Sequence, residues 1–254
     1  MERIRFKVAI LVLGMAASGG LARGEEPPKT RPLDDPAARA FLKEAEEQSS
    51  HWGGFPGFAA VIKVFFDGKT HEGRVEVGAT RRVKVHLSDP ESRKWAAGTI
   101  AQTLANANRR PFEERYEGMG IVFGKDDLHP LGQLVQVHGD PYNSRFRIKD
   151  GEFRTIRRTT KTHEVAIHVI NIERDSEGRK QSRSFVVSYF DKQTGKLERA
   201  EAIRDERTLL DGYPLPALWI ESDVRHDRNG TRTLMLTGHK LAPPAEERPV
   251  TSRR

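Results

Sequence analysis

The stretch HEVAIHVINIERDSEGRKQSRSFVVSYF, residues 163–190, decides the fold. Its arms, Val165-Ala166-Ile167-His168-Val169-Ile170 and Phe185-Val186-Val187-Ser188-Tyr189-Phe190, are β-branched and aromatic runs of strand length. Between them Glu177-Gly178 supplies the positive φ that a tight turn needs, so the segment reads as a β-hairpin. Both arms carry apolar groups at odd and even positions, as does Val61-Ile62-Lys63-Val64-Phe65-Phe66, so both faces of these strands are expected to be covered. Other strands are one-sided: Arg74 and Glu76 alternate with Val75 and Val77, and Lys84 and His86 with Val83, Val85 and Leu87.

Working outward, Asp67-Gly68, Asp150-Gly151, Thr194-Gly195 and Asn229-Gly230 repeat the turn signal. The strands drawn between turns are 58–66, 71–77, 81–87, 112–123 in one or two pieces, 133–138, 145–149, 152–160, 163–173, 181–190, 196–206, 217–226 and 231–240. Sequential hairpins predict an antiparallel meander, because helices for parallel crossovers are missing. Two helices announce themselves by an aspartate cap followed by proline. Asp35-Pro36 opens one to about Ser49, with Ala38, Phe41, Leu42 and Ala45 on one stripe; Asp89-Pro90 opens another to about Asn108, with Ala96, Ile100, Leu104 and Ala107 recurring at helical intervals. The fold class is therefore α+β and mainly antiparallel β: a long curved meander sheet, a half-barrel, wrapped over one or two helices.

The ends read as address and tether. Arg3, Arg5 and Lys7 precede an apolar run from Val8 to about Ala22, the pattern of a signal peptide over residues 1–24 with cleavage between Gly24 and Glu25. A run of roughly 15 apolar residues is short of the ~20 a span requires, so no stable membrane span is expected after cleavage. Residues 25–33, rich in proline, read as a disordered linker and 242–254 as a disordered tail, leaving 34–241 as a single half-barrel domain. The location expected is exported, periplasmic or secreted. With no cysteine in 254 residues, neither a lipid anchor nor a disulfide supports the fold. Losing Arg3, Arg5, Lys7 and Arg23 against Glu2 lowers the net charge from +7 to +4, which argues against a nucleic-acid partner. The basic segments Arg145–Lys149 and Arg154–Lys161 read as the solvated side of a hairpin.

A resemblance enters with Trp52-Gly53-Gly54-Phe55-Pro56-Gly57-Phe58-Ala59-Ala60, Trp95 on the second helix, and Arg109-Arg110-Pro111-Phe112-Glu113 after it. With Gly139-Asp140, the Arg145–Gly151 segment and Gln193-Thr194-Gly195-Lys196-Leu197, the stretch from about Asp34 to Leu241 resembles domain-of-unknown-function family 3386. That resemblance implies an architecture and no activity. The layout is similar to the half-barrel of periplasmic lipoprotein carriers, an analogy of fold alone.

The search for chemistry returns little. The G-x-S-x-G signature is absent and cysteine catalysis is excluded. Neither H-x-H nor H-E-x-x-H occurs among nine histidines, so no metal, cofactor or catalytic residue is assigned. Gly118-Met119-Gly120-Ile121-Val122-Phe123-Gly124 lacks the spacing of a phosphate loop, and Asp227-Arg228-Asn229-Gly230 is explained as a hairpin turn. The remaining signal is apolar: Trp52, Phe55, Phe58, Trp95 and Trp219 are either core packing or the lining of a greasy pocket under the sheet. Three readings follow. The first is non-catalytic binding of an apolar ligand or lipid; the second is docking of an envelope protein through a sheet edge or the Arg145–Lys161 hairpin. The third is a hydrolase with a site assembled from distant residues, for instance among His138, His226 and His239.

Overall fold

The computed structural model describes residues 33–49, 54–107, 110–125, 128–175, 178–225 and 229–242. The expected leader, the linker up to residue 32 and the tail from 243 lie outside the described residues. The chain runs α1 (Pro36–Glu47), β1 (Gly57–Phe66), β2 (Lys69–Gly78), β3 (Val83–His86), α2 (Pro90–Ala107) and α3 (Phe112–Arg115). It continues through β4 (Gly120–Phe123), β5 (Gln133–His138), β6 (Arg145–Lys149), β7 (Glu152–Thr159), β8 (His163–Arg174) and β9 (Lys180–Asp191). Three long strands close it: β10 (Leu197–Leu210), β11 (Tyr213–Arg225) and β12 (Asn229–Leu241).

Local chemistry sets most of these boundaries. The Asp35 carboxylate accepts the backbone N–H groups of Ala37 (2.8 Å) and Ala38 (3.4 Å), and Asp89 accepts that of Ser92 (2.7 Å), so each long helix starts on an aspartate. Two-residue turns with positive φ at both positions join β1 to β2 at Asp67-Gly68 and β6 to β7 at Asp150-Gly151. A third such turn, Asp211-Gly212, joins β10 to β11.

The strands form one antiparallel sheet ordered β3-β2-β1-β12-β11-β10-β9-β8-β7-β6-β5-β4. From β4 to β12 it is the expected meander. The first hairpin then adds to its end through β1–β12 pairing, from Phe58 opposite Leu241 to Phe65 opposite Thr233. The segment holding α2 and α3 therefore carries the chain from one edge strand, β3, to the other, β4. A flat sheet of twelve strands at ~4.8 Å spacing would be about 53 Å wide, roughly twice the ~27 Å length of α2. Trp95, Ala96, Ile100 and Leu104 of α2 share one core with Val75 of β2, Val187 of β9 and Ile203 of β10. These strands, β2 to β9, span about 24 Å at that spacing, so this core runs along α2 on the inner face of the curved, unclosed sheet. A second core joins α1 and α3 to β4, β5 and β6 through Leu42, Phe112, Tyr116, Ile121, Val135 and Phe146.

Four expectations need correction. Residues 112–123 begin as helix α3, because Phe112 and Tyr116, four apart, stack at 4.7 Å and are both buried, which is helical rather than strand spacing. Strand β11 begins at Tyr213 and not at 217: Pro214 and Pro216 pair with β10, while pairing to β12 starts only at Leu218, so the prolines occupy a stretch with one open edge. Asn229 and Gly230 pair with Val224 and Asp223 inside the β11–β12 ladder and are not the turn itself. Finally, the outer face of β1 is not covered, since Val61 is 52% and Phe65 42% exposed while Ile62 and Val64 are fully buried.

Candidate functional site

The C-terminal end of α1, Gln102 of α2, helix α3 and the inner face of β6 to β11 line a partly open cavity of ≈ 190 Å³. One side is an apolar wall built from Phe146, Phe153, Ile167, Val169, Phe185 and Trp219. Its rings meet edge to face, Phe146 on Phe153 at 5.5 Å and Phe185 on Trp219 at 6.1 Å, which gives a stiff surface. Strand alternation places these groups, since Ile167 and Val169 lie two apart on β8 and Phe185 continues the buried row of Val187 and Tyr189 on β9.

Charged groups share this lining, with Asp205 directly across from Trp219 in the β10–β11 pairing. Arg115 of α3 pairs with Glu46 of α1 at 2.7 Å, and the Tyr116 hydroxyl donates to the same carboxylate at 2.8 Å. On β10, Arg207 pairs with Asp205 at 2.9 Å. Asp140 accepts the backbone N–H (3.0 Å) and hydroxyl (2.7 Å) of Ser144. The Lys180 ammonium donates to the Asp150 carbonyl at 2.5 Å and lies 3.9 Å from Glu152, and the Lys180 backbone N–H donates to the Gln48 carbonyl at 2.7 Å, which fastens α1 to β9. Burial pushes the Arg158 guanidinium below its ordinary range, against the pull of Tyr116, Asp140, Tyr142 and Glu46.

Several polar side chains on this cavity have atoms without a hydrogen-bond partner, Glu46 Oε2 among them although Arg115 is ion-paired to it. Gln181 is 5% exposed, and neither its amide nitrogen nor its amide oxygen has a partner; Trp219, also 5% exposed, has none for its indole N–H. The Nε–H of Arg115 likewise meets no acceptor. A buried polar group left in this state costs roughly 1–3 kcal/mol, so native proteins seldom keep one without cause.

The residues picked out by sequence divide. Trp219 lines the cavity. Phe55 and Phe58 pack on each other at 6.3 Å in the α2 core, Phe55 against Tyr213 and Phe58 against His239. Trp95 is in that same core, stacked on Phe66 at 5.8 Å with its N–H 3.4 Å from Glu221. Trp52 lies outside the described residues, as does His226. His138 is on β5 and His239 on β12, with six strands between them, and the His239 ring bonds the Pro216 carbonyl at 2.8 Å. No cluster of three or more metal-ligating side chains occurs among the described residues. The basic hairpin is not wholly solvated either: Arg157 faces Glu164 at 3.4 Å and Arg154 pairs with Glu152, but Arg158 turns onto the cavity.

Sequence reading missed Gln181, Asp205 and Arg207. For Asp205 and Arg207 the signal was parity, since both keep the odd numbering of buried Ile203 on β10; on β9 an extra residue between Ser182 and Ser184 breaks the count, so numbering does not carry from Val187 to Gln181.

Comparison with known proteins comes to three findings. A family model described as "Protein of unknown function (DUF3386)" matches residues 33–241. No curated protein matches the chain. Among solved structures the chain is similar to a LolA superfamily protein from Nitrosomonas europaea, at 13% identity and a TM-score of 0.34, covering 81% of this chain and 94% of that one. It is also similar to an outer membrane lipoprotein-sorting protein domain from Vibrio parahaemolyticus, at 10% identity and a TM-score of 0.33, covering 83% and 94%.

Proposed function

We propose, from the premise that this chain belongs to the DUF3386 family, whose description names no activity, that it is an exported, non-catalytic protein that binds an amphiphilic ligand in the cavity between α1, α3 and β6–β11. The observation that carries this reading is the set of apolar side chains Phe146, Phe153, Ile167, Val169, Phe185 and Trp219 left facing open space in the cavity. On the same measure one water needs about 10–15 Å³, so ≈ 190 Å³ holds more than ten waters, or a ligand segment that displaces them. Burying about eight methylenes contributes roughly 6 kcal/mol. Association itself costs about 4 kcal/mol or more, so the alkyl part alone binds weakly and a polar end has to add to it.

Export by cleavage after Gly24 belongs to the same reading, as does the finer possibility that the ligand is the lipid moiety of another envelope protein. One preparation tests all three. Protein recovered without detergent from a bacterial envelope fraction is weighed intact, then extracted into organic solvent, and the extract is analysed by mass spectrometry. The expected result is a chain beginning at Glu25 with a copurified amphiphile, free if the ligand is a lipid and attached to peptide if it comes from a lipoprotein. An extract containing no amphiphile, together with failure of the protein to bind a dodecyl-chain dye, overturns the binding reading.

A further inference from the structure

We infer that the polar end of this cavity is a headgroup subsite that takes an anionic, acceptor-rich group, a carboxylate or a phosphate ester. The inference deepens the amphiphile reading and rests on it. The unmet groups at the cavity are unequal in kind: the indole N–H of Trp219, the amide N–H₂ of Gln181 and the Nε–H of Arg115 are donors, while the acceptors are the Gln181 amide oxygen and Glu46 Oε2, the latter already ion-paired with Arg115 at 2.7 Å. A ligand group that satisfies several donors lining one cavity is rich in acceptors, as are the oxygens of a carboxylate or a phosphate ester. Charge does not oppose this. Four cations, Arg115, Arg158, Lys180 and Arg207, line the cavity against the carboxylates of Glu46, Asp140 and Asp205. Glu152 stands behind Lys180 at 3.9 Å.

The donors come from three elements. Gln181 opens β9, where the Lys180–Gln48 hydrogen bond fixes the backbone; Trp219 lies two strands away on β11, braced by Phe185; Arg115 is held by Glu46. Arg115 and Trp219 are therefore braced, and the backbone that carries Gln181 is fixed, before any ligand arrives, and such preorganisation lets a few hydrogen bonds discriminate between headgroups.

The test uses four ligands with the same twelve-carbon chain: dodecanoate, dodecyl phosphate, dodecanol and dodecyltrimethylammonium. Inorganic phosphate is added without a chain, and binding is read by titration calorimetry. Dodecanoate or dodecyl phosphate is expected to bind at least tenfold more tightly than dodecanol, with the trimethylammonium compound weakest. Gln181→Leu and Trp219→Phe should each cut the preference for the anionic amphiphiles over dodecanol about fivefold, with thermal melts confirming that both variants fold. Equal affinity for all four amphiphiles, or preference for the cation, overturns the subsite while leaving the apolar cleft intact. Binding of inorganic phosphate that both variants lose, with no amphiphile bound, keeps the subsite and removes the amphiphile reading. No binding by any probe removes both.

Discussion

Glu201 carries the sharpest electrostatic consequence of the curved sheet. It lies on the inner face of β10, where Tyr189 donates its hydroxyl to the carboxylate at 2.9 Å and Arg199 lies 3.3 Å away with its guanidinium stacked on the Tyr189 ring at 3.8 Å. Burial pushes the Glu201 carboxyl above its ordinary range; the Arg199 cation opposes that shift, and the carboxylates of Glu221 and Asp223 reinforce it. The same burial pushes the Tyr189 phenol upward, so this pair resists ionisation together. An acid that holds its proton more tightly folded than unfolded stabilises the fold at low pH. That contribution is lost as the pH rises from the ordinary glutamate value through the raised folded one. Glu201→Gln keeps an acceptor for Tyr189 and cannot ionise. Its unfolding free energy, measured in urea between pH 4 and pH 8, should therefore rise relative to wild type as the pH increases, and a variant that instead falls behind at the alkaline end contradicts this account.

At the scale of elements, α1 shows how local signals become a wall of the site. Its N-terminus is joined to β4, with Asp35 N–H donating to the Ile121 carbonyl at 2.8 Å and Asp34 accepting the Ile121 N–H at 2.8 Å; its C-terminus is joined to β9 through Gln48 and Lys180. The Asp35 side chain adds the cap. Asp35→Ala should cost about 1 kcal/mol in chemical denaturation and Asp35→Asn far less, because asparagine caps as well as aspartate does. Equal losses for the two would mean that the capping bonds contribute nothing. Such elements were legible because caps and turns are written in adjacent residues: both long helices and the β6–β7 hairpin fall where Asp35-Pro36, Asp89-Pro90 and Asp150-Gly151 place them. Helix α3 was not, since four residues are too few to show a period and only the Phe112–Tyr116 contact reveals it. Nor was the start of β11, where Pro214 and Pro216 read as breakers until the open edge beside them is known.

The whole molecule depends on pairings that no local pattern records. Joining β1 to β12 links residues nearly the length of the domain apart, and it also hides the cleft from sequence, because Glu46, Arg115, Gln181, Asp205 and Trp219 meet only after the sheet has curved. Aromatic content alone pointed to Phe55, Phe58 and Trp95, which fill the α2 core; the cleft needed the parity of polar residues on inward rows. The two cores raise the question of whether the chain is one cooperative unit. A continuous ladder of strands crosses both, and Ile156 of β7 touches both. Separating them would expose the cavity wall and break the β6–β7 and β7–β8 ladders, so the chain should unfold as a single domain. Leu42 in the α1 core and Leu104 in the α2 core are each fully buried, and truncating either to alanine should cost about 3 kcal/mol. In a single unit both variants displace one shared transition, followed by tryptophan fluorescence and by far-ultraviolet circular dichroism, to a similar extent. Two transitions, with Leu42→Ala moving only one and Leu104→Ala only the other, would divide the half-barrel into independent halves and leave the cleft as a seam between them.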